Sequence, residues 1–180
     1  TAKIWKDGDA LYAYSVSPAV SQARSVCVSG GDVYAAGSLQ SGLTKPLAVV
    51  WKNDKAHYTL SDGEIPAGVN ALCLSGRTLY AAGHSGGAAA VWKDKELLYT
   101  LTDGTNDAWA YAVCVSDGTV YAAGYERQGD RIVAKVWENG TLKYTPGAPG
   151  ADSYAYSVFA ANGSLYTAGS EESGGALTAK

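Results

Sequence analysis

Two positions, one residue apart, change character along this chain while their surroundings hold steady. They read Gln22 and Arg24, then Gly68 and Asn70, then Trp109 and Tyr111, then Tyr154 and Tyr156. Aromatic rings offer flat apolar faces, and amide and guanidinium groups offer directional hydrogen bonds. Brought to one end of a fold, Gln22, Arg24, Asn70, Trp109, Tyr111, Tyr154 and Tyr156 suit a concave binding site for a polar ligand such as a glycan. A position with a purely structural task would repeat its residue, and these do not. The competing explanation is drift at an exposed loop, where single aromatics are common.

Catalytic chemistry has thinner support. Asp62, Glu64, Asp103, Asp107 and Asp152 lie near the same loops. Glycoside cleavage needs two carboxyl groups roughly 5–10 Å apart across the bond, and an Asp-Gly pair already has an explanation as a turn. Asp103-Gly104-Thr105-Asn106-Asp107 lacks the full ligand spacing of a calcium loop. With two His and no Cys-x-x-Cys, no zinc site is expected. There is no phosphate loop and no Ser-His-Asp pattern, so neither a cofactor nor a metal is expected. Asn139-Gly140-Thr141 and Asn162-Gly163-Ser164 match glycosylation acceptors but read first as hairpin turns.

The elements that must position these residues follow from a repeat. Tyr12, Tyr58, Tyr99 and Tyr144 each stand seven residues after Trp5, Trp51, Trp92 and Trp137. Fifteen residues further come Cys27, Cys73, Cys114 and Phe159, and seven more bring Tyr34, Tyr80, Tyr121 and Tyr166. Only the return to the next Trp varies: 17, 12 and 16 residues. The chain thus reads as one domain, residues 1–180, of four repeats of about 45 residues. Trp and Tyr at fixed spacing are expected to be core, although a lectin with one sugar site per repeat would also conserve its Trp.

Each repeat reads as four short strands. In the third copy these are Tyr111–Ser116, Thr119–Gly124, Ile132–Trp137 and Thr141–Thr145, with Asp117-Gly118 and Asn139-Gly140 as two-residue hairpin turns. Ala88–Leu101 lacks Gly and Pro and could pass for a helix, but it aligns with copies carrying Asp7-Gly8 or Asn139-Gly140 at its middle. It is therefore read as strands. Continuously apolar runs such as Val26-Cys27-Val28 and Leu72-Cys73-Leu74 imply burial on both faces. Stacking such four-stranded units radially gives the expected fold, an all-β propeller of four four-stranded blades, closed by pairing of the N- and C-terminal strands. A flat or spiral solenoid is the alternative. Thr178-Ala179-Lys180 repeats Thr1-Ala2-Lys3 in register, so one triplet must fray or the chain must belong to a longer array.

Composition sets outer limits. At 47% hydrophobic, 180 residues suffice for a sizeable core. A net charge of −3 leaves no basic footprint for nucleic acid, and no apolar run is long enough to span a bilayer. The absence of Met, at residue 1 included, reads as a processed, trimmed or engineered chain. Three Cys in one register, with Phe159 in the fourth, read as buried free thiols.

The runs Ala134-Lys135-Val136-Trp137-Glu138-Asn139-Gly140 and Val120-Tyr121-Ala122-Ala123-Gly124 resemble the tandem repeats of a large group of secreted or surface-associated bacterial propeller-like proteins, most of them uncharacterised. The resemblance covers the whole chain and implies a propeller in an extracytoplasmic setting, with no catalytic residues to carry over. Ala stands here where many such repeats have Val before the Gly, and the Gly-His and Trp-Asp pairs of WD-repeat blades are missing. The expected function is a non-catalytic recognition or scaffold module that binds a glycan or a protein, with a carbohydrate-active enzyme domain (glycoside hydrolase or lyase) as the alternative. The expected state is a monomer, or a dimer if two chains share one ring.

Overall fold

A computed structural model describes residues 1–14 and 18–180. The described residues form seventeen strands and no helix. Every strand pairs antiparallel with a neighbour in sequence, giving five sheets. The first sheet is β1 (Ala2–Lys6) with β2 (Asp9–Tyr14). The second runs β3 (Val20–Ser29), β4 (Asp32–Gln40), β5 (Leu47–Lys52), β6 (Lys55–Thr59), and the third β7 (Ala67–Ser75), β8 (Thr78–Ser85), β9 (Ala88–Lys93), β10 (Glu96–Thr100). The fourth is β11 (Ala108–Ser116), β12 (Thr119–Gln128), β13 (Arg131–Glu138), β14 (Thr141–Tyr144). The fifth has three strands, β15 (Ser153–Ala161), β16 (Ser164–Ser173) and β17 (Ala176–Ala179). Ala88–Leu101 is β9 and β10, strands as the sequence required.

Two-residue turns make this meander, some with positive φ at both residues. Asp7-Gly8, Asp117-Gly118, Asn139-Gly140 and Asn162-Gly163 all adopt that conformation, whose twist matches the flanking strands. Asn or Asp at the first turn position does a second job. The side-chain oxygens of Asn53, Asp94 and Asn139 accept from the backbone N–H of Val33, Leu79 and Val120 at 2.9–3.0 Å. Their own N–H groups donate back to the carbonyls of the same three residues. Each third-to-fourth-strand turn is thereby tied to the start of the second strand, and the Asn139 side chain is occupied by that bond.

The sheets stack in a row in chain order. β3 packs on β1, β7 on β3 and β4, β11 on β7 and β8, and β15 on β11 to β13. The core lies in the layers between sheets. Trp51 packs with Ala2, Ile4 and Tyr14 of the first sheet, its ring stacked on Tyr14 at 4.8 Å. Trp92 packs with Ala36, Val50 and Leu60 of the second, and Trp137 with Ala82, Val91 and Leu101 of the third. Each Trp therefore covers the sheet before its own. Trp92 is 1% exposed, whereas Trp5, with no described sheet before it, is 63% exposed. The three cysteines are free and half-buried. Burial pushes the Cys27 thiol up to about 11 and raises Cys73 and Cys114 as well.

The expected closed propeller of four four-stranded blades is corrected by this topology. The five sheets hold two, four, four, four and three strands, and none is closed. β1 pairs only with β2, and the place beside β16 that closure reserved for residues 1–6 is taken by β17. The reason is the length of chain between partners. Gly174-Gly175 turns β16 straight into β17, and closing a two-residue hairpin costs far less entropy than joining distant termini. Of the two like triplets, it is Thr178–Lys180 that lies beside β16.

These layers predict that Trp51→Ala, Trp92→Ala and Trp137→Ala each cost about 3–5 kcal/mol, as large buried-to-small changes do. Trp5→Ala in dilute solution should cost no more than about 0.5 kcal/mol, like other surface changes. Urea unfolding of the four variants checks this. Equal losses at Trp5 and Trp92 would show that the ring acts within its own sheet.

Candidate functional site

The four divergent positions share a backbone device. In each four-residue run Tyr34–Gly37, Tyr80–Gly83, Tyr121–Gly124 and Tyr166–Gly169 the glycine lies against a carbonyl of the adjacent strand. A Cβ on Gly37, Gly83, Gly124 or Gly169 would lie 1.8–1.9 Å from the carbonyl oxygen of Gln22, Gly68, Trp109 or Tyr154. Only a residue without a side chain permits that approach. One residue past each contact the first strand carries a β-bulge, between Ala23 and Ser25, Val69 and Ala71, Ala110 and Ala112, Ala155 and Ser157. The extra residue is Arg24, Asn70, Tyr111 or Tyr156. A bulge breaks the alternation of the strand and re-aims one side chain. Here it sends four successive residues to the same side of the stack.

All seven residues singled out in the sequence fall in one continuous band. Arg24 donates to Asn70 Oδ1 at 2.9 Å and to Gln22 Oε1 at 3.2 Å, and its guanidinium lies 5.6 Å from the centre of the Trp109 ring. Asn70 donates in turn to the Ala110 carbonyl. Trp109 meets Tyr111 edge-on at 6.3 Å, Tyr111 meets Tyr156 at 5.5 Å, and Tyr156 stacks on Tyr154 at 5.6 Å with a 6° tilt. The band crosses the second to the fifth sheet. At its polar end a cleft of about 310 Å3 is lined by Gln22, Arg24, Gly68, His84 and Trp109 among others.

Two members were missed from the sequence. His84 stacks on Trp109 at 4.3 Å with an 8° tilt, and Tyr125 bridges Tyr111 and Tyr154 at 5.6 Å each. Both stand directly after the glycine of the second strand, across from Gly68 and Trp109. The signal was present, since that position reads Ser38, His84, Tyr125 and Ser170 and diverges as the bulge positions do.

The electrostatics favour neutral rings around one fixed cation. Burial, with Arg24 adding to it against Asp107, pulls the His84 imidazole down to about 4. Its Nδ1 is buried without a hydrogen-bond partner. Burial and the neighbouring tyrosines push Tyr111 up to about 12, and Tyr125 and Tyr154 are raised mainly by burial. Arg24 is held by two amides and a ring, with no carboxylate within salt-bridge distance among the described residues.

Three of the five candidate carboxylates accept hydrogen bonds within their own loops or from a neighbouring strand. Asp62 accepts from the Glu64 N–H, and Asp103 from the N–H and hydroxyl of Thr105. Asp152 accepts from the Ile132 N–H beside Arg131. Asp107 lies near His84 and Tyr125, outside the cleft lining. Among the described residues no three His, Cys, Asp or Glu side chains gather as a metal site would require. No helix of the described residues is long and apolar enough to cross a membrane. The arrangement can stack, hydrogen-bond and present one positive charge.

Two predictions follow from the geometry. Gly124→Ala should destabilise by about 3 kcal/mol or more, since backbone must move to admit the methyl group, and urea unfolding measures it. The second concerns pH. The unfolded chain protonates His84 near 6.5, the native protein only near 4. Stability from this group is full above about 6.5 and is lost as pH falls through about 4, by about 2 kcal/mol allowing for partial exposure. His84→Phe should shrink the difference in unfolding free energy between neutral pH and the acid side of this window. An unchanged difference would mean that His84 is solvated.

No protein-family model matches this chain, and a search of curated proteins found no relative.

Proposed function

We propose that this protein is a non-catalytic recognition module that binds a glycan along the band from Gln22 to Tyr156, and that it works outside the cytoplasm. The observation that carries the reading is the unbroken run of rings Trp109, Tyr111, Tyr125, Tyr154 and Tyr156 beside a preset guanidinium. Sugar rings present apolar C–H faces to aromatic planes and hydroxyls to amides, and both kinds of partner are aligned here. The glycine contacts and bulges set the residues on strands, so little ordering entropy is lost on binding. Arg24 lacks a carboxylate partner among the described residues and suits an acidic or hydroxyl-rich end of the ligand. The extracytoplasmic setting rests on the resemblance of the repeats alone.

A glycan array, followed by calorimetry on the glycans retained, tests this reading. Trp109→Ala and Tyr156→Ala should each weaken binding by about tenfold or more, as truncation of a central aromatic anchor does. Arg24→Gln should weaken acidic glycans more than neutral ones. Bound glycans should be recovered intact, without new reducing ends. Wild-type affinity in both aromatic variants would remove the band from the function.

A further inference from the structure

The polar end of the band is a recess, and a missing side chain makes room for it. Gly68 holds the place that Gln22, Trp109 and Tyr154 hold in the other sheets, each with its carbonyl against a second-strand glycine. A Cβ on Gly68 would lie 3.0 Å from Cε1 of His84, the residue paired across from it. The imidazole therefore lies over the bare backbone of Gly68 and flat against Trp109, 4.3 Å away with an 8° tilt. The cleft of about 310 Å3 opens beside these stacked rings. That is the lower end of the range for small-molecule sites, and it suits a single sugar residue.

The charge of the lining is one-sided. Arg24 supplies its one fixed charge, and no Asp or Glu is among the lining residues. Gln22, Ser38 and Gln40 are neutral and polar. A guanidinium carries more N–H donors than Arg24 uses. It gives one to Asn70 and one to Gln22, and the others have no acceptor among the described residues. The two amides thus hold the cation in place without neutralising it, 5.6 Å from the centre of the Trp109 ring. On the same wall His84 Nδ1 is buried without a hydrogen-bond partner. Asp107, the carboxylate that acts on His84, lies outside the lining. A neutral sugar seated here would take water from the guanidinium and return nothing to its charge.

We infer that the cleft is the subsite for an acidic sugar residue, whose single anionic group pairs with the unused N–H donors of Arg24 while its hydroxyls meet Gln22, Ser38 and Gln40. This rests on the glycan-binding reading of the band and adds a residue type and a direction to it. The acidic residue lies at the Gln22 end, and the rest of the glycan runs from it past Tyr111 toward Tyr154 and Tyr156. Gly68 is the residue that admits it. A carboxylate and a sulfate ester share the required chemistry, a compact acceptor group with one negative charge.

Titrations of the 180-residue chain followed by nuclear magnetic resonance, with methyl β-glucoside, methyl β-glucuronide and methyl β-glucoside 6-sulfate, test the inference. The acidic glycosides should bind about tenfold or more tightly than the neutral one, as a hydrogen bond to a charged group gives, and the two acidic arms tell a carboxylate from a sulfate ester. Arg24→Gln should bring both down to the affinity of the neutral glycoside. Gly68→Gln should weaken all three by about tenfold by filling the recess. Gln22 occupies the same place against its own glycine, so circular dichroism should show this variant folded. Bound glucuronide should also raise the titration midpoint of His84 by about one unit, because a nearby negative charge favours the imidazolium. His57, on β6, should not respond. Equal affinity for the three glycosides, a preference that survives Arg24→Gln, an unmoved His84, or no binding of any of them overturns the inference. The band is judged separately, with a longer glycan and Tyr156→Ala. Binding lost in that variant but indifferent to Arg24→Gln and Gly68→Gln keeps the band and removes the acidic subsite.

Discussion

One close approach, of a glycine to a carbonyl oxygen, recurs in four sheets of this molecule. At Gly37, Gly83, Gly124 and Gly169 the second strand of a sheet comes so near the first that no side chain fits. The bulge beside each contact follows, because the first strand accommodates one extra residue where the pair is pinched. From the bulge follows the band, since Arg24, Asn70, Tyr111 and Tyr156 are all extra residues re-aimed to the same side. A fixed main-chain device thus carries a variable side chain. The scaffold can keep its core while the face it presents changes from a guanidinium to an amide to a phenol.

Stacking supplies the rest of the order. Small residues such as Ala36, Ala82 and Ala123 let the sheets approach, and a Trp from the following sheet fills the second and third of the layers so made. Trp51 does the same over the first sheet. Few polar groups enter these layers, and those that do are paired. Ser21 and Ser153 are buried and accept from the N–H of Ala2 and Ala134, and Lys135 reaches Glu126 at 3.4 Å. A side chain in the band is therefore held at two levels, by its own bulge and by the sheet spacing that sets its distance to the next ring.

Much of this was legible in the sequence because the repeat isolates what each position does. Asn-Gly and Asp-Gly pairs marked the hairpins, and Trp spacing marked the third strands. Divergence against a constant background picked out the seven residues that the structure brings together. His84 and Tyr125 are harder to read from the sequence because they lie on the second strand, and only the ladder sets them opposite Gly68 and Trp109. Closure was misjudged for a different reason. Spacing reports which residues are equivalent but not which of two equivalent strands takes a place, and that depends on the chain length separating the partners. Thr1-Ala2-Lys3 and Thr178-Ala179-Lys180 are alike as strings, yet only the second lies on a strand joined to β16 by a two-residue turn. The exposure of Trp5 could not be read from its own repeat, since burial of each Trp is decided by the sheet before it.

That dependence on the neighbouring sheet gives the molecule a graded cohesion. Sheets that touch only adjacent sheets behave like a one-dimensional array, in which an inner member is held on two faces and an outer member on one. Local opening is therefore easiest in the two-stranded first sheet and in β17, and hardest in the third and fourth sheets. A glycan laid along the band would span four sheets and couple their opening, so that occupancy lends the fifth sheet some of the permanence of the inner ones.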